Sequence, residues 1–131
     1  MIKFGTDGWR GIIGEDFTFE NLRKITDAFA KYILEQKKKP KILIGYDRRF
    51  LSERYAEFVA RRLEQYGFFI YLFEKYVPTP LVSWGVKNKG MDNGIIITAS
   101  HNPYYYNGFK IKNKFGAGIS TEETKKIESF L

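Results

Sequence analysis

From Thr18 to Gln36 the apolar residues Leu22, Ile25, Phe29, Tyr32 and Ile33 recur at the spacing of one helix face, and Thr18 stands where a hydroxyl caps a first turn. Lys37-Lys38-Lys39 and Pro40 end that helix, because cations favour a helix C-terminus and proline cannot continue one. Ile42-Leu43-Ile44 then reads as a short buried strand ending at Gly45. Ser52 opens a second helix with inner face Ala56, Val59, Ala60 and Leu63, closed by Gly67. Phe68 to Phe73 is a second strand, and Pro80 sits at the first position of a short helix reaching Lys89. Ile95-Ile96-Ile97 is a third strand, apolar without alternation and so buried on both faces. After a polar loop from Ser100 to Gly108, Phe109-Lys110-Ile111-Lys112 alternates as a fourth strand. Ser120 and Glu123 form a capping box that starts a closing helix.

Strands joined through a helix pair in parallel, whereas the short helix-free link between strands three and four requires an antiparallel turn. The expected fold is therefore one α/β domain over residues 1–131, a three-layer α/β/α arrangement with a mixed four-stranded sheet of three parallel strands and one antiparallel edge strand. Ligands of open α/β sheets sit beyond the carboxyl ends of the parallel strands. There the first core strand delivers Asp47-Arg48-Arg49 and the third delivers Ser100-His101-Asn102. If those strands are neighbours, the two clusters share one rim.

Composition narrows the chemistry. The chain has no Cys, which excludes a disulfide scaffold, a thiolate metal site and a thiol nucleophile. Its apolar runs are far too short for a membrane span, and Met1-Ile2-Lys3-Phe4 has no signal-peptide pattern, so a cytoplasmic protein without a membrane partner is expected. The formal net charge of +7 points to an anionic partner, which charge alone leaves open between nucleic acid, a phosphorylated metabolite and an acidic surface.

In Thr98-Ala99-Ser100-His101-Asn102-Pro103 a small hydroxyl at a strand end enters a tight turn, which either exposes an oxygen nucleophile among backbone N–H groups or merely satisfies those groups locally. His101 is adjacent to Ser100, so its side chain diverges from it and suits action on something bound beside the serine. Lys110 lies nearest the loop, where an ammonium reaches a phosphate or, with a lowered pKa, serves as a base. Phe4 to Gly11 is glycine-rich and carries Thr6, Asp7 and Arg10: a plain turn, or a hydroxyl, a carboxylate and a guanidinium fork gathered for phosphate. Asp47-Arg48-Arg49 fits an ion-pair knot or a ligand contact equally well. Walker, dinucleotide, nucleophile-elbow and zinc-helix patterns are absent from the sequence.

Four of these segments, in order, resemble motifs of the α-D-phosphohexomutases, the phosphoglucomutase and phosphomannomutase superfamily. Thr98 to Pro103 is similar to the T-A-S-H-N-P active-site motif, Asn107 to Lys110 to its N-G-F-K continuation, Phe4 to Gly11 to F-G-T-[SD]-G-x-R-G, and Gly45 to Ser52 to G-x-D-x-R-x-S; Pro78-Thr79-Pro80 matches P-T-P. The resemblance implies that Ser100 carries a phosphoryl group exchanged with a hexose monophosphate through a bisphosphorylated sugar. It assigns general acid/base work to His101 and Lys110, and stabilisation of the transferring phosphate to Arg10. Thr6, Asp7, Asn102, Arg48 and Arg49 are the expected substrate- and phosphate-binding residues. Mg²⁺ is expected through the phosphoserine at Ser100, and hexose 1,6-bisphosphate as activator. Phe109, where amino-sugar mutases more often carry isoleucine, leans toward the glucose and mannose types. The family has four domains, and this chain corresponds to the first. Companion domains II–IV would supply the aspartate-rich metal loop and most of the sugar site, so the chain alone is expected to be inactive. The competing expectations are a basic nucleic-acid-binding module and a stand-alone regulatory domain.

Overall fold

The computed structural model describes residues 2–131. In chain order its elements are β1 (Gly8–Ile12), α1 (Phe19–Leu34), β2 (Lys41–Tyr46), α2 (Ser52–Gln65), β3 (Phe69–Leu72), α3 (Thr79–Asn88), β4 (Asn93–Ile97), β5 (Tyr106–Lys112) and α4 (Thr121–Glu128). The helix signals act as the side-chain chemistry requires. Thr18 Oγ1 accepts the Asn21 N–H at 3.1 Å at the head of α1, and Ser120 and Glu123 complete a reciprocal capping box on α4. Gly67, at φ 86°, closes α2 in the left-handed conformation that glycine tolerates. In α3, Pro80 occupies the second helical position rather than the first, behind Pro78 as N-cap.

The sheet has five strands in the order β1-β5-β4-β2-β3, not the four expected from the sequence. β2 pairs in parallel with β3 and β4, while β5 runs antiparallel to both β4 and β1. The additional strand is Gly8-Trp9-Arg10-Gly11-Ile12, within the segment whose glycines read as a loop. Glycine removes the side chains whose alternation would announce a strand. Here it does so for a packing reason: a Cβ at Gly8 would run into the Phe109 carbonyl of β5. The antiparallel strand is consequently not an edge. β1 and β3 are the edges, and β5 begins at Tyr106, earlier than its own alternation shows, because β1 pairs along it to Tyr106.

Two apolar cores sandwich the sheet. Leu22, Ile25, Phe29 and Ile33 of α1, Ala56, Val59 and Leu63 of α2 and Ile127 of α4 pack with Ile95 and Ile97 on one face. Val82 and Val86 of α3 pack with Ile96 on the other. The unbroken isoleucine run of β4 is thus divided between two cores by the strand's period of two. With both faces covered, the rim at the carboxyl ends of β2 and β4 is where polar side chains gather.

Candidate active site

β2 and β4 are parallel neighbours, with Tyr46 opposite Ile97, so Asp47-Arg48-Arg49 and Thr98 to Asn102 meet at one rim. Ser100 lies on the connection from β4 to β5, exposed, with φ at 53°. That left-handed conformation costs a residue with a Cβ about 1–2 kcal/mol, and it persists only where the surroundings impose it.

Those surroundings form a hydrogen-bonded chain. The Ser100 N–H donates to Thr98 Oγ1 at 3.1 Å, and that hydroxyl donates to Asp47 Oδ2 at 2.5 Å. Asp47 Oδ1 accepts from the Ser52 hydroxyl at 2.7 Å and from the Arg49 N–H at 3.0 Å. Ser52 Oγ in turn accepts from Asn107 Nδ2 at 2.9 Å, and Asn107 Oδ1 accepts the Gly108 N–H. Ser52 and Asn107 are fully buried, so their mutual satisfaction matters: an orphaned polar atom there would cost about 1–3 kcal/mol. Arg49 ties the same loop from its other side. Its Nη1 donates to the Pro103 and Tyr106 carbonyls at 2.6 and 3.1 Å, and its Nη2 to those of Ser100 and Asn102, both at 2.7 Å. Its Nε lies 3.3 Å from Asp47 Oδ2.

The cations beside Ser100 come from the β1–β5 pair. Gly8 faces Lys110 and Arg10 faces Gly108, so both long cationic side chains rise from one face of the sheet, each opposite a glycine. A Cβ at Gly108 would stand 3.2 Å from Arg10 Cγ and 2.5 Å from the Thr98 carbonyl, so glycine there makes room for the arginine. Lys110 Nζ donates to Ser100 Oγ at 2.5 Å, and Arg10 Nη1 donates to Asn102 Oδ1 at 3.1 Å. Burial holds the Lys110 ammonium below its ordinary pKa; the charges of Arg10 and Lys112 lower it further, and Asp7 opposes them.

The remaining residues singled out from the sequence lie around this centre. His101 is exposed and makes no hydrogen bond among the described residues. Thr6 and Asp7 line, with Arg10, a cleft of about 310 Å³ along β1. Arg48 lies over the Tyr76 ring, 4.4 Å from its centroid, beside an open groove of about 700 Å³ bordered also by Val77, Pro78, Asn102 and Tyr104. Arg49, expected among the phosphate ligands, has its guanidinium turned to the loop's own carbonyls. Thr98, Ser52 and Asn107 had no role assigned from the sequence. The available signal was a polar residue at the end of an apolar strand or between buried segments, where it must find a partner.

An exposed hydroxyl with the Lys110 ammonium on it and the Arg10 guanidinium on the same loop, while Asp47 is taken up by Thr98, Ser52 and Arg49, is chemistry for an anion that is held or transferred. Comparison with known proteins gives it a lineage. Residues 1–131 match the family described as phosphoglucomutase/phosphomannomutase, alpha/beta/alpha domain I. The chain is a domain I of that family. The domain is 37% identical to the phosphoglucomutase of Staphylococcus aureus (strain MRSA252), covering 99% of this chain and 24% of that protein. It is 40% identical to the phosphoglucosamine mutase of Caldicellulosiruptor bescii, covering 98% of this chain and 28% of that one. In three dimensions it superposes on a provisionally named phosphomannomutase from Thermus thermophilus with a TM-score of 0.95 and 38% identity, over 98% of this chain and 29% of the other. This domain I thus spans about a quarter of the length of the curated relatives it matches.

Proposed function

We propose that this domain I carries the phosphoserine of a phosphohexomutase, which interconverts hexose 1-phosphate and hexose 6-phosphate through a bisphosphorylated sugar. The observation that carries the reading is the 2.5 Å contact from Lys110 Nζ to Ser100 Oγ on a strained, solvent-facing loop. In the proposed step a sugar hydroxyl attacks the phosphorus on Ser100. The bond to Oγ breaks, the hydroxyl proton passes to His101 or Lys110, and the serine oxygen recovers a proton from the same pair. The lowered pKa of Lys110 suits it to both halves of that exchange. Arg10, which reaches the same loop at Asn102, is proposed to turn its fork to the transferring phosphate, where cationic stabilisation supplies most of the catalysis of phosphoryl transfer.

Among the described residues no three His, Cys, Asp or Glu side chains gather into a metal-holding group. Asp47, the carboxylate nearest the loop, is already committed to Thr98, Ser52 and Arg49. The residues present therefore do not make a Mg²⁺ site by themselves, and no step here is routed through one. On this reading the 131-residue chain accepts phosphate at Ser100 but does not turn over hexose phosphate without companion domains. Hexose 1,6-bisphosphate is the proposed phosphoryl donor, and the cytoplasm the proposed location.

Intact-mass and peptide mapping after incubation with glucose 1,6-bisphosphate and Mg²⁺, with the remaining domains of a relative supplied, tests the assignment. One phosphoryl group on Ser100, absent in Ser100→Ala, is expected. Phosphate on another residue, or isomerisation of glucose 1-phosphate by the chain alone, contradicts it.

A further inference from the structure

Arg49 is the charged residue of the rim whose guanidinium is most completely committed within the domain. A guanidinium has five N–H groups. Four are directed at the carbonyls of Ser100, Asn102, Pro103 and Tyr106 at 2.6–3.1 Å, and the fifth, on Nε, faces Asp47 Oδ2 at 3.3 Å. The side chain is only 14% exposed. The four Nη donors are committed to the loop, and the Nε faces a carboxylate in ion-pair range, which would repel a phosphate. We infer that Arg49 is a positioning residue, which sets the peptide planes of the serine loop and touches no ligand. The inference rests on the proposed phosphoserine role of that loop.

The physical consequence lies in the peptide planes. A trans peptide directs its C=O and N–H to opposite sides. Turning the Ser100 and Pro103 carbonyls inward to Arg49 turns the His101 and Tyr104 N–H groups outward, and neither has a partner among the described residues. Between them the Asn102 N–H is turned to the Ala99 carbonyl and Pro103 has none, so the His101 and Tyr104 amides are the two backbone donors this part of the loop offers to an anion. Asp47 makes the clamp two-sided: one carboxylate orients the guanidinium through Nε and the Ser100 amide through Thr98. Four carbonyls drawn to one rigid fork fix the loop's curvature, and Ser100 keeps its φ of 53° inside that curvature. Lysine retains the charge but offers three donors from a point, so it cannot satisfy the same set.

The test uses the 131-residue chain, whose described residues leave no buried side-chain polar atom unpartnered and whose two cores are closed within it. Backbone ¹⁵N relaxation is measured on the parent, on Arg49→Lys and on Arg49→Ala with and without added guanidinium at concentrations far below denaturing. In Arg49→Lys, order parameters across residues 100–105 are expected to fall from about 0.85 to below about 0.6, with those of β2 and β4 unchanged. Guanidinium should restore them in Arg49→Ala. Inorganic phosphate should shift the His101 and Tyr104 amides in the parent and fail to do so in Arg49→Lys. A loop that stays rigid in Arg49→Lys overturns the inference, as does loosening of loop and sheet together. If Arg49→Ala does not fold, Arg49→Lys decides alone. The relaxation readout involves no phosphoryl transfer. A loop that loosens in Arg49→Lys on a chain whose Ser100 never accepts phosphate would refute the proposed function and leave Arg49's role standing.

Discussion

Replacing Thr98 by valine keeps a β-branched side chain of the same outline and removes one hydroxyl. That hydroxyl donates to Asp47 Oδ2 and accepts the Ser100 N–H, so two hydrogen bonds are lost. A hydrogen bond to a charged group contributes about 1.5–3 kcal/mol, and a neutral one about 0.5–1.5 kcal/mol. Asp47 keeps Ser52 and Arg49 as partners and the Ser100 amide can turn to water, which places the expected loss at the low end of the sum. We therefore expect Thr98→Val to destabilise the domain by about 2–3 kcal/mol. For a chain of this size that lowers Tm by roughly 8–12 °C. Urea unfolding followed by far-UV circular dichroism measures the change, and an unaltered m-value shows that the midpoint shift reports stability rather than a change in the surface exposed on unfolding. A loss below about 0.5 kcal/mol would refute the claim that this hydroxyl anchors the loop, since surface substitutions away from such features fall within that range.

The left-handed backbone at Ser100 predicts an ordering: Ser100→Gly should be more stable than Ser100→Ala by about 1 kcal/mol in the same urea assay, because both lose the hydroxyl and only alanine keeps the Cβ that the conformation penalises. Equal stability of the pair would show that the loop relaxes out of that conformation. Lys110 should titrate below the exposed lysines in a side-chain ¹³C NMR titration; Arg10→Ala should raise its midpoint and Asp7→Asn should lower it further. Because burial favours the neutral amine in the folded state, Lys110's contribution makes stability rise with pH between its lowered folded pKa and the ordinary 10.5; a fall across that window would mean the sign is wrong.

Most of the fold was legible because its elements have clean periods. Leu22, Ile25, Phe29 and Ile33 mark one helix face, and each is buried. β1 was hidden because the glycines that let it lie against β5 also erase the alternation by which a strand is recognised. The rim was legible for a different reason. Strands joined by helices are parallel, and neighbouring parallel strands deliver their loops to one end, so Asp47 and Ser100 had to converge once β2 and β4 paired. The direction in which Arg49 points was not legible. An arginine beside a polar loop suits a phosphate or a set of carbonyls equally well, and only the count of its committed donors separates the two.

Arg10 owes its place to a strand at the start of the chain that pairs with β5, nearly the whole domain later. On a ribosome β1 would leave the exit tunnel long before its partner, and its glycines give it little reason to hold a strand conformation meanwhile. Arg10 can therefore reach the serine loop only once β5 has been made and β1 pairs with it across that separation. The position of that guanidinium beside the Ser100 loop thus depends on the strand pairing of greatest sequence separation in the sheet.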